Sequence, residues 1–432
     1  MNWVERLRLR AEEGAPVRVG IVGAGQMGAG LISQMEQMAG MRAVAVADLS
    51  AERAAKGYAI AGIPGEQVAP AGEAARAREL LEQGRRVATG DPRLIYSLPE
   101  VEVVVEATGI PEVGAQVAYG AILAGKHIVN MNVETDATVG YILQRLAKAA
   151  RVVYTLTAGD EPGAIKELYD FAVGLGFTVT AIGKGKNNPL NRAANPDSCR
   201  ERAARQEMSS KMLASFEDGT KTMVEMTAVG NATGFRPEVR GARGLEATPA
   251  TLAQVFVPRA AGGQLDDHAA VEYAVGSVAP GVFVIITTNH PKIAKDLRYL
   301  RVSGHGSYWS LYRPYHLANL ETPLSIARAV LYGDTTLATE RPPVCETVAA
   351  AKRDLRAGEQ IDGLGGFTVY GLIERAEIAR REKLVPLGLL AGARLRRDLP
   401  AGRVLTYEDV ELDERQLIVQ LRRLQDLETE RK

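Results

Sequence analysis

The chain has 432 residues, 46% of them hydrophobic, and 52 basic side chains balance 52 acidic ones for a formal net charge of +0. That length buries a core without disulfide or metal staples and suggests two to four domains. A neutral balance gives no reason to expect a nucleic-acid or membrane-surface partner, and the two cysteines, Cys199 and Cys345, lack metal-ligand spacing and read as reduced thiols.

The first sixteen residues are charged and amphipathic, without the apolar stretch of a signal peptide. No run approaches the length of a membrane span, since Val282–Thr287 is far too short. A cytoplasmic location is the expectation. Val17–Val22 reads as a strand, followed at once by Gly23-Ala-Gly25-Gln26-Met27-Gly28 and a helix to about Met38. Arg42–Ala47 is the next strand, closed by Asp48. Val101–Ala107, a helix over Glu112–Ala124 and a strand over His127–Met131 continue the alternation. Continuous apolar strands alternating with helices predict a doubly wound parallel sheet, an α/β Rossmann domain over residues 1–151.

Val152–Thr157, a helix over Pro162–Gly174 and a strand over Thr178–Gly183 open a second α/β domain, residues 152–318. A polar segment rich in Gly, Asn and Pro follows, Lys184–Asp197, too long for a routine turn. Val255–Pro258, Val282–Thr288 and Tyr299–Val302 are further strand candidates. A helix over Leu324–Tyr332, with Pro323 as its starting residue, returns to the first domain within residues 319–345. Ala351–Gly358 and Ala393–Gly402 read as two copies of one small β-turn unit. They mark a β-rich third domain, residues 346–432, closed by a charged helix over Gln416–Leu427.

The glycine fingerprint gains weight from its setting between strand and helix. Gly23 permits the tight turn, Gly25 lets a pyrophosphate approach the backbone, and Gly28 lets helix pack on strand. Gln26 and Met27 lie where the helix begins and its N–H groups face an anion. Asp48, twenty residues after Gly28, suits the ribose hydroxyls of NAD. Ser50 and Arg53 suit a 2′-phosphate, so the cofactor is NAD or NADP. Ala107, Thr108 and Gly109, with Glu106 before them, close the third strand where the nicotinamide half would lie, and Asn132 follows the next strand.

Val104–Gly109 and Ala124–Asn130 resemble the homoserine dehydrogenase type of Rossmann domain. That family has a lysine after the asparagine that follows its fourth strand. Here Asn132 is followed by Val133, which argues against homoserine as substrate. Ala158–Gly163, Gly183–Leu190, Asp218–Met226, Asn231–Gly234 and Tyr312–Leu317 resemble the 1-deoxy-D-xylulose 5-phosphate reductoisomerase-like family, which is related to homoserine dehydrogenase. The resemblance covers nearly the whole chain, including a C-terminal SAF-like domain. It implies a homodimer, an NAD(P) domain and a catalytic and dimerising domain. One member type isomerises and reduces a ketol phosphate with NADPH.

The residues themselves offer a polar site. Lys184 and Lys186, on one side if extended, join Asn187 and Asn188 as a binding loop or a solvated face. Asp160 and Glu161 suit acid–base work, a divalent metal, or capping of the helix that follows. Lys221 suits a general acid, and it shares a face with Glu225 on either a helix or a strand. Arg313 suits a phosphate or carboxylate, and His316 suits proton transfer or a structural bond. The leading reading is an NAD(P)-dependent oxidoreductase of a phosphorylated or acidic hydroxy-ketone or sugar acid. The alternatives are a homoserine dehydrogenase-like enzyme of another hydroxy acid or semialdehyde without isomerisation, and a non-catalytic cofactor- or carbohydrate-binding protein.

Overall fold

The computed structural model describes residues 2–188, 190–266 and 269–430, so Pro189, inside one of the resemblance motifs, lies outside the described residues. The chain forms two compact units. The first comprises the residues through Asp160, Leu317–Glu340 and the residues from Gln420 onward. The second comprises Glu161–His316 and Arg341–Val419.

In the first unit, seven parallel strands form one sheet: β1 (Val17–Val22), β2 (Met41–Ala47), β3 (Val68–Pro70), β4 (Arg86–Thr89), β5 (Val103–Glu106), β6 (His127–Asn130) and β7 (Tyr154–Leu156). Their order is β3-β4-β2-β1-β5-β6-β7. The chain leaves β1 toward one edge and later returns on its other side, so the switch point falls beside β1. That is where an open α/β sheet binds its ligand. Val19 and Ile21 of β1, Val46 of β2 and Val103 of β5 are fully buried together with Leu31 and Ile32 of the helix Gln26–Glu36. Strands covered on both faces have no solvent side, which explains their unbroken apolar character.

The helix Ala318–Tyr332 belongs to this unit and packs on the helix Gln26–Glu36, where a Cβ on Gly30 would lie 2.2 Å from the Asn319 side-chain nitrogen. It begins six residues earlier than its sequence suggests. Pro323 lies inside it rather than at its start, and Leu317 before it gives no side-chain cap to signal the true beginning. The closing helix, Leu417–Glu430, docks through Gln425, whose Oε1 accepts from the Ile142 N–H at 3.1 Å on the helix Val133–Ala150.

The second unit holds a mixed six-stranded sheet of β8 (Thr178–Lys186), β9 (Leu245–Glu246), β10 (Ala270–Val275), β11 (Val282–Thr287), β12 (Gly304–His305) and β13 (Tyr308–Arg313). The order is β12-β13-β11-β8-β10-β9, with β8 parallel to β10 and antiparallel to β11. The expected strand at Val255–Pro258 is instead the end of the helix Leu252–Val255 and an irregular segment with Phe256 and Val257 buried. A short apolar run looks the same in a strand and in a buried irregular turn. The expected strand at Tyr299–Val302 is the end of the helix Pro291–Tyr299 and the turn after it. Its start signals were Pro291 and the capping side chain of His290.

Two strands, β14 (Cys345–Ala351) and β15 (Val369–Arg375), form an antiparallel ribbon, and β16 (Arg394–Leu395) pairs with β17 (Val410–Glu411). The two similar turn units face each other. Leu355 and Leu399 exchange both backbone hydrogen bonds, at 2.8 and 3.0 Å. Asp398 accepts from the Ala357 N–H at 2.8 Å, and Asp354 accepts from the Ala401 N–H at 2.9 Å. Each copy thus supplies the aspartate that holds the other copy's turn.

Candidate functional site

The glycine loop leaves β1 directly. Gly23 has φ +100, and a Cβ there would lie 2.8 Å from the Ala107 carbonyl. A Cβ on Gly28 would lie 1.9 Å from the Gly23 carbonyl oxygen. Around Gly25, by contrast, a Cβ would meet nothing within 4 Å. The first and third glycines are therefore demanded by the protein's own packing. The second is demanded only by something that must come close, as a pyrophosphate would. No side chain caps the helix Gln26–Glu36 at Gly25, so its positive end is left to an anion. Gln26 and Met27 are exposed at its first turn.

Asp48 turns back on this loop. Its Oδ2 accepts from the Ala24 N–H at 2.7 Å, and its Oδ1 accepts from Leu49 N–H at 2.7 Å and Arg53 Nε at 2.8 Å. The Asp48 side chain is only 9% exposed, whereas Arg53 is 62% exposed. Arg53 thus presents the free face of the pair to solvent. Ser50 caps the next helix.

At the end of β5, Glu106 is fully buried. Its Oε1 accepts from the Thr108 N–H at 2.8 Å and from the Thr108 hydroxyl, while its Oε2 has no partner among the described residues. Burial pushes its pKa up to about 7. Ala107 and Thr108 are half-buried, and Gly109 turns with φ +68. Asn132 is buried, and its side chain is spent inside the protein: it caps the helix Val133–Ala150 through Thr135 N–H and donates to Ile110 O at 3.0 Å. A second buried acid stands on that helix. Asp136 accepts from Tyr154 Oη at 3.2 Å, and burial lifts its pKa to about 7.

In the second unit, β8 runs on through Lys186, so Lys184 and Lys186 share one face of a strand. Both are buried, at 5% and 6% exposure. Lys184 Nζ donates to Glu161 Oε1 at 2.6 Å and to Glu225. Glu161 starts the helix Glu161–Gly174, and Glu225 lies in the helix Thr220–Thr233. Burial alone would lower the Lys184 pKa, but the two carboxylates outweigh it and hold the ammonium above the ordinary lysine range. Burial, reinforced by the Glu161 charge, pushes Glu225 up. Lys186 Nζ donates to Phe216 O at 2.7 Å. Its burial, with Lys184 beside it, pushes the pKa down to about 8.

Lys221 lies on the helix, one turn before Glu225 and half-buried, so the strand alternative falls away. His316 Nε2 is 3.5 Å from Glu161 Oε2, and its Nδ1 is 2.8 Å from Pro280 O. Arg313 ends β13, pairs with Glu167 at 2.9 Å and stacks over Tyr315 at 4.7 Å. Asn187 is exposed, Asn188 is half-buried, and Asp160, just before Glu161, is half-buried. The structure thus gathers Lys184, Glu161, Glu225 and His316 into one connected group, with Lys186 two residues along β8.

Asp160 and Glu161, with Glu225, bring one carboxylate oxygen each within 4.8 Å of one another, a grouping able to hold a divalent cation, and the Lys184 ammonium bridges Glu161 and Glu225.

Two residues escape sequence reasoning. Lys352, 3% exposed, lies 2.8 Å from Asp218 Oδ2, and its hydrogen bonds go to the carbonyls of Ala194 and Gly366, at 2.5 and 2.7 Å. Arg192 donates to Asp218 O at 2.7 Å and lies over the Tyr370 ring at 4.9 Å. Both brace the turn that opens the helix of Lys221 and Glu225, and only the fold brings them there.

A glycine cradle on a parallel sheet and a buried lysine–carboxylate group define an oxidoreductase with an NAD(P)-binding domain. More particularly, residues 23–156 match the family model "Homoserine dehydrogenase, NAD binding domain", residues 159–322 "Oxidoreductase DRL, catalytic domain", and residues 346–411 "SAF domain". No curated protein matches the chain. Among solved structures, UDP-N-acetylglucosamine 3-dehydrogenase GnnA from Acidithiobacillus ferrooxidans is 13% identical, with a TM-score of 0.37 over 75% of this chain and 92% of that one. An NAD binding oxidoreductase from Klebsiella pneumoniae is 17% identical, with a TM-score of 0.33 over 63% and 64%. No helix among the described residues is long and apolar enough to cross a membrane.

Proposed function

We propose that the chain is a dehydrogenase that interconverts the ketone and alcohol of a small acidic or phosphorylated hydroxy-carbonyl compound, using NAD or NADP. The observation that carries this reading is the pairing of two unlike lysines on one face of β8. Lys184 is a fixed cation, held charged by Glu161 and Glu225. It polarises the substrate oxygen without giving up a proton. Lys186, with its pKa near 8, is matched to proton transfer at neutral pH.

In the direction of reduction, NAD(P)H would, when bound, supply the hydride that the carbonyl carbon needs. Lys186 gives its proton to the oxygen, leaving an alcohol and a neutral amine that recovers a proton from water. In the other direction Lys186 takes the hydroxyl proton. Lys186 thus takes the acid–base role that the sequence suggests for Lys221. His316, 3.5 Å from Glu161 Oε2, helps to orient that carboxylate. Asn187, Asn188 and Arg313 hold the acidic end of the substrate. Hydride and proton transfer together complete the interconversion, with no rearrangement of the carbon skeleton.

The test is nicotinamide absorbance across a panel of hydroxy acids, sugar acids and sugar phosphates with both cofactors. With the best substrate, reduction slows as pH rises past about 8 and oxidation quickens. Lys186→Met abolishes that dependence and costs about 100-fold in kcat. Turnover that keeps its rate and pH profile in Lys186→Met removes the assignment.

A further inference from the structure

Lys186 has polar neighbours that the reaction does not yet use. The strand register sets Tyr273 of β10 beside Lys184, on the sheet face that carries both lysines. Arg192 lies in the segment that follows β8, close enough for its charge to help press the Lys186 pKa down. One glycine-rich loop runs past both Arg192 and Tyr273. A Cβ on Gly241 would lie 3.8 Å from Arg192 Nη2, and one on Gly244 would lie 2.4 Å from Tyr273 Oη. On the other side of Arg192 stands Tyr370 of β15, its ring centre 4.9 Å from the guanidinium carbon.

Arg192 has one donor engaged. Its Nη1 donates to Asp218 O at 2.7 Å, whereas Nε and Nη2 have no partner among the described residues and are not sealed from solvent. The Tyr273 and Tyr370 hydroxyls are in the same condition, although Tyr273 as a whole is only 3% exposed. The charges point the same way. Lys352 answers Asp218, and Lys184 answers Glu161 and Glu225. Lys186 bonds only the Phe216 carbonyl. Lys186 and Arg192 are therefore left without a carboxylate of their own among the described residues. Burial, the largest influence on Arg192, holds its pKa below the ordinary arginine range. With Nη1 taken, the guanidinium offers its Nε–Nη2 edge, a pair of parallel donors spaced for the two oxygens of a carboxylate. The two phenols beside it can donate to the lone pairs that remain.

We propose that this edge of Arg192, with the Tyr273 and Tyr370 hydroxyls, binds the carboxylate of the substrate, while the carbonyl of the same molecule meets Lys186. The substrate pair is then an oxo acid and its hydroxy acid rather than a phosphate ester. Arg192 takes the leading part in holding the acidic end, because Arg313 is already paired with Glu167 at 2.9 Å. Tyr370 belongs to the segment that matches the SAF domain, so that segment lends a side chain to the substrate site. The placing of the carbonyl rests on the acid–base role of Lys186, whereas the carboxylate contact does not.

Acetate is the probe, with neutral acetamide and inorganic phosphate as controls at constant ionic strength, on the full chain labelled at its tyrosine rings. Acetate is expected to shift the Tyr273 and Tyr370 signals saturably and to leave those of Tyr58 and Tyr141, buried in the first unit, in place. Acetamide lacks the charge and phosphate the planar pair of oxygens, so each should bind about ten-fold more weakly. Arg192→Lys keeps a cation able to reach Asp218 O but loses the fork, so the chain should fold while acetate weakens about ten-fold. With the best substrate of the panel, the same variant should raise KM about ten-fold and leave kcat within about two-fold, the mark of a group that binds without reacting. Equal shifts with acetamide, phosphate binding as tightly as acetate, or acetate affinity unchanged in Arg192→Lys would each overturn the subsite. A panel without turnover would remove the dehydrogenase reading, and the acetate titration would still decide the subsite.

Discussion

Lys184 Nζ lies 2.6 Å from Glu161 Oε1, and the same nitrogen bonds Glu225 from the other side. One ammonium thus serves two buried carboxylates, which holds the start of the helix Glu161–Gly174 and the middle of the helix Thr220–Thr233 against β8. Removing it leaves two acids facing each other out of water. Lys184→Met is expected to cost about 3–5 kcal/mol of stability, the usual penalty for an orphaned buried charge. Lys184→Met with Glu225→Gln should recover most of that stability but no turnover. Denaturant unfolding and activity on the same samples separate the two roles.

The three glycines of the cofactor loop should fail in different ways. Gly28→Ala drives a methyl into the Gly23 carbonyl and should lower Tm by several degrees even without cofactor. Gly25→Val finds open space and should leave Tm near the parent value. Yet it fills the cradle, so both dinucleotides should bind at least 100-fold more weakly. Calorimetric titration beside thermal unfolding tests the contrast. Equal Tm losses in the two variants would contradict it.

This contrast shows what the sequence makes legible. Strand, fingerprint and helix from Val17 to Glu36 are local, and each residue's role follows from spacing. The internal repeat was readable too, because Asp354 and Asp398 recur at matching positions in two copies of one unit. The strand face of Lys184 and Lys186 could be named from their separation by two. What stayed hidden depends on long-range approach. Glu225 is forty-one residues from Lys184, and Lys352 is over a hundred from Asp218. No local pattern records such pairs. Lys186 likewise looked like its neighbour until the fold brought Glu161 and Glu225 onto Lys184 and left Lys186 with a backbone carbonyl.

Glu106 and Asp136 predict a pH dependence of stability in the first unit. Burial raises each to about 7 in the folded chain, above its ordinary value of 4.5 or 3.8. A raised acid favours the folded state while protonated. Its contribution is fully present below the unfolded pKa and is lost as pH climbs through about 7. Stability should therefore fall between pH 5 and pH 8. Glu106→Gln keeps the bond to Thr108 N–H without a charge to bury, so it should flatten the fall by up to about 3 kcal/mol. Denaturant unfolding at pH 5, 6.5 and 8 measures it, and parallel curves for variant and parent would refute the assignment.

The β-rich segment after Arg341 supports the reaction group from behind. Lys352, beside β14, pairs with Asp218 at 2.8 Å, and Asp218 Oδ1 accepts from the Thr220 N–H at 2.8 Å where the helix bearing Lys221 and Glu225 begins. On the ribbon, the Gly371 N–H donates to Thr220 Oγ1 at 2.8 Å, and Thr347 bonds Thr227, also at 2.8 Å. Three bonds thus fix one helix face, while Glu225 on that helix meets Lys184. Lys352→Met strands the Asp218 carboxylate, which is 0% exposed, and should cost about 3–5 kcal/mol. Lys352→Met with Asp218→Asn removes the stranded charge and should restore most of the fold. If the ribbon positions the helix, that double variant still loses kcat about ten-fold with KM little changed, because a shift under 1 Å at Glu225 misplaces Lys184. Full recovery of kcat along with stability would reduce Lys352 to a structural ion pair.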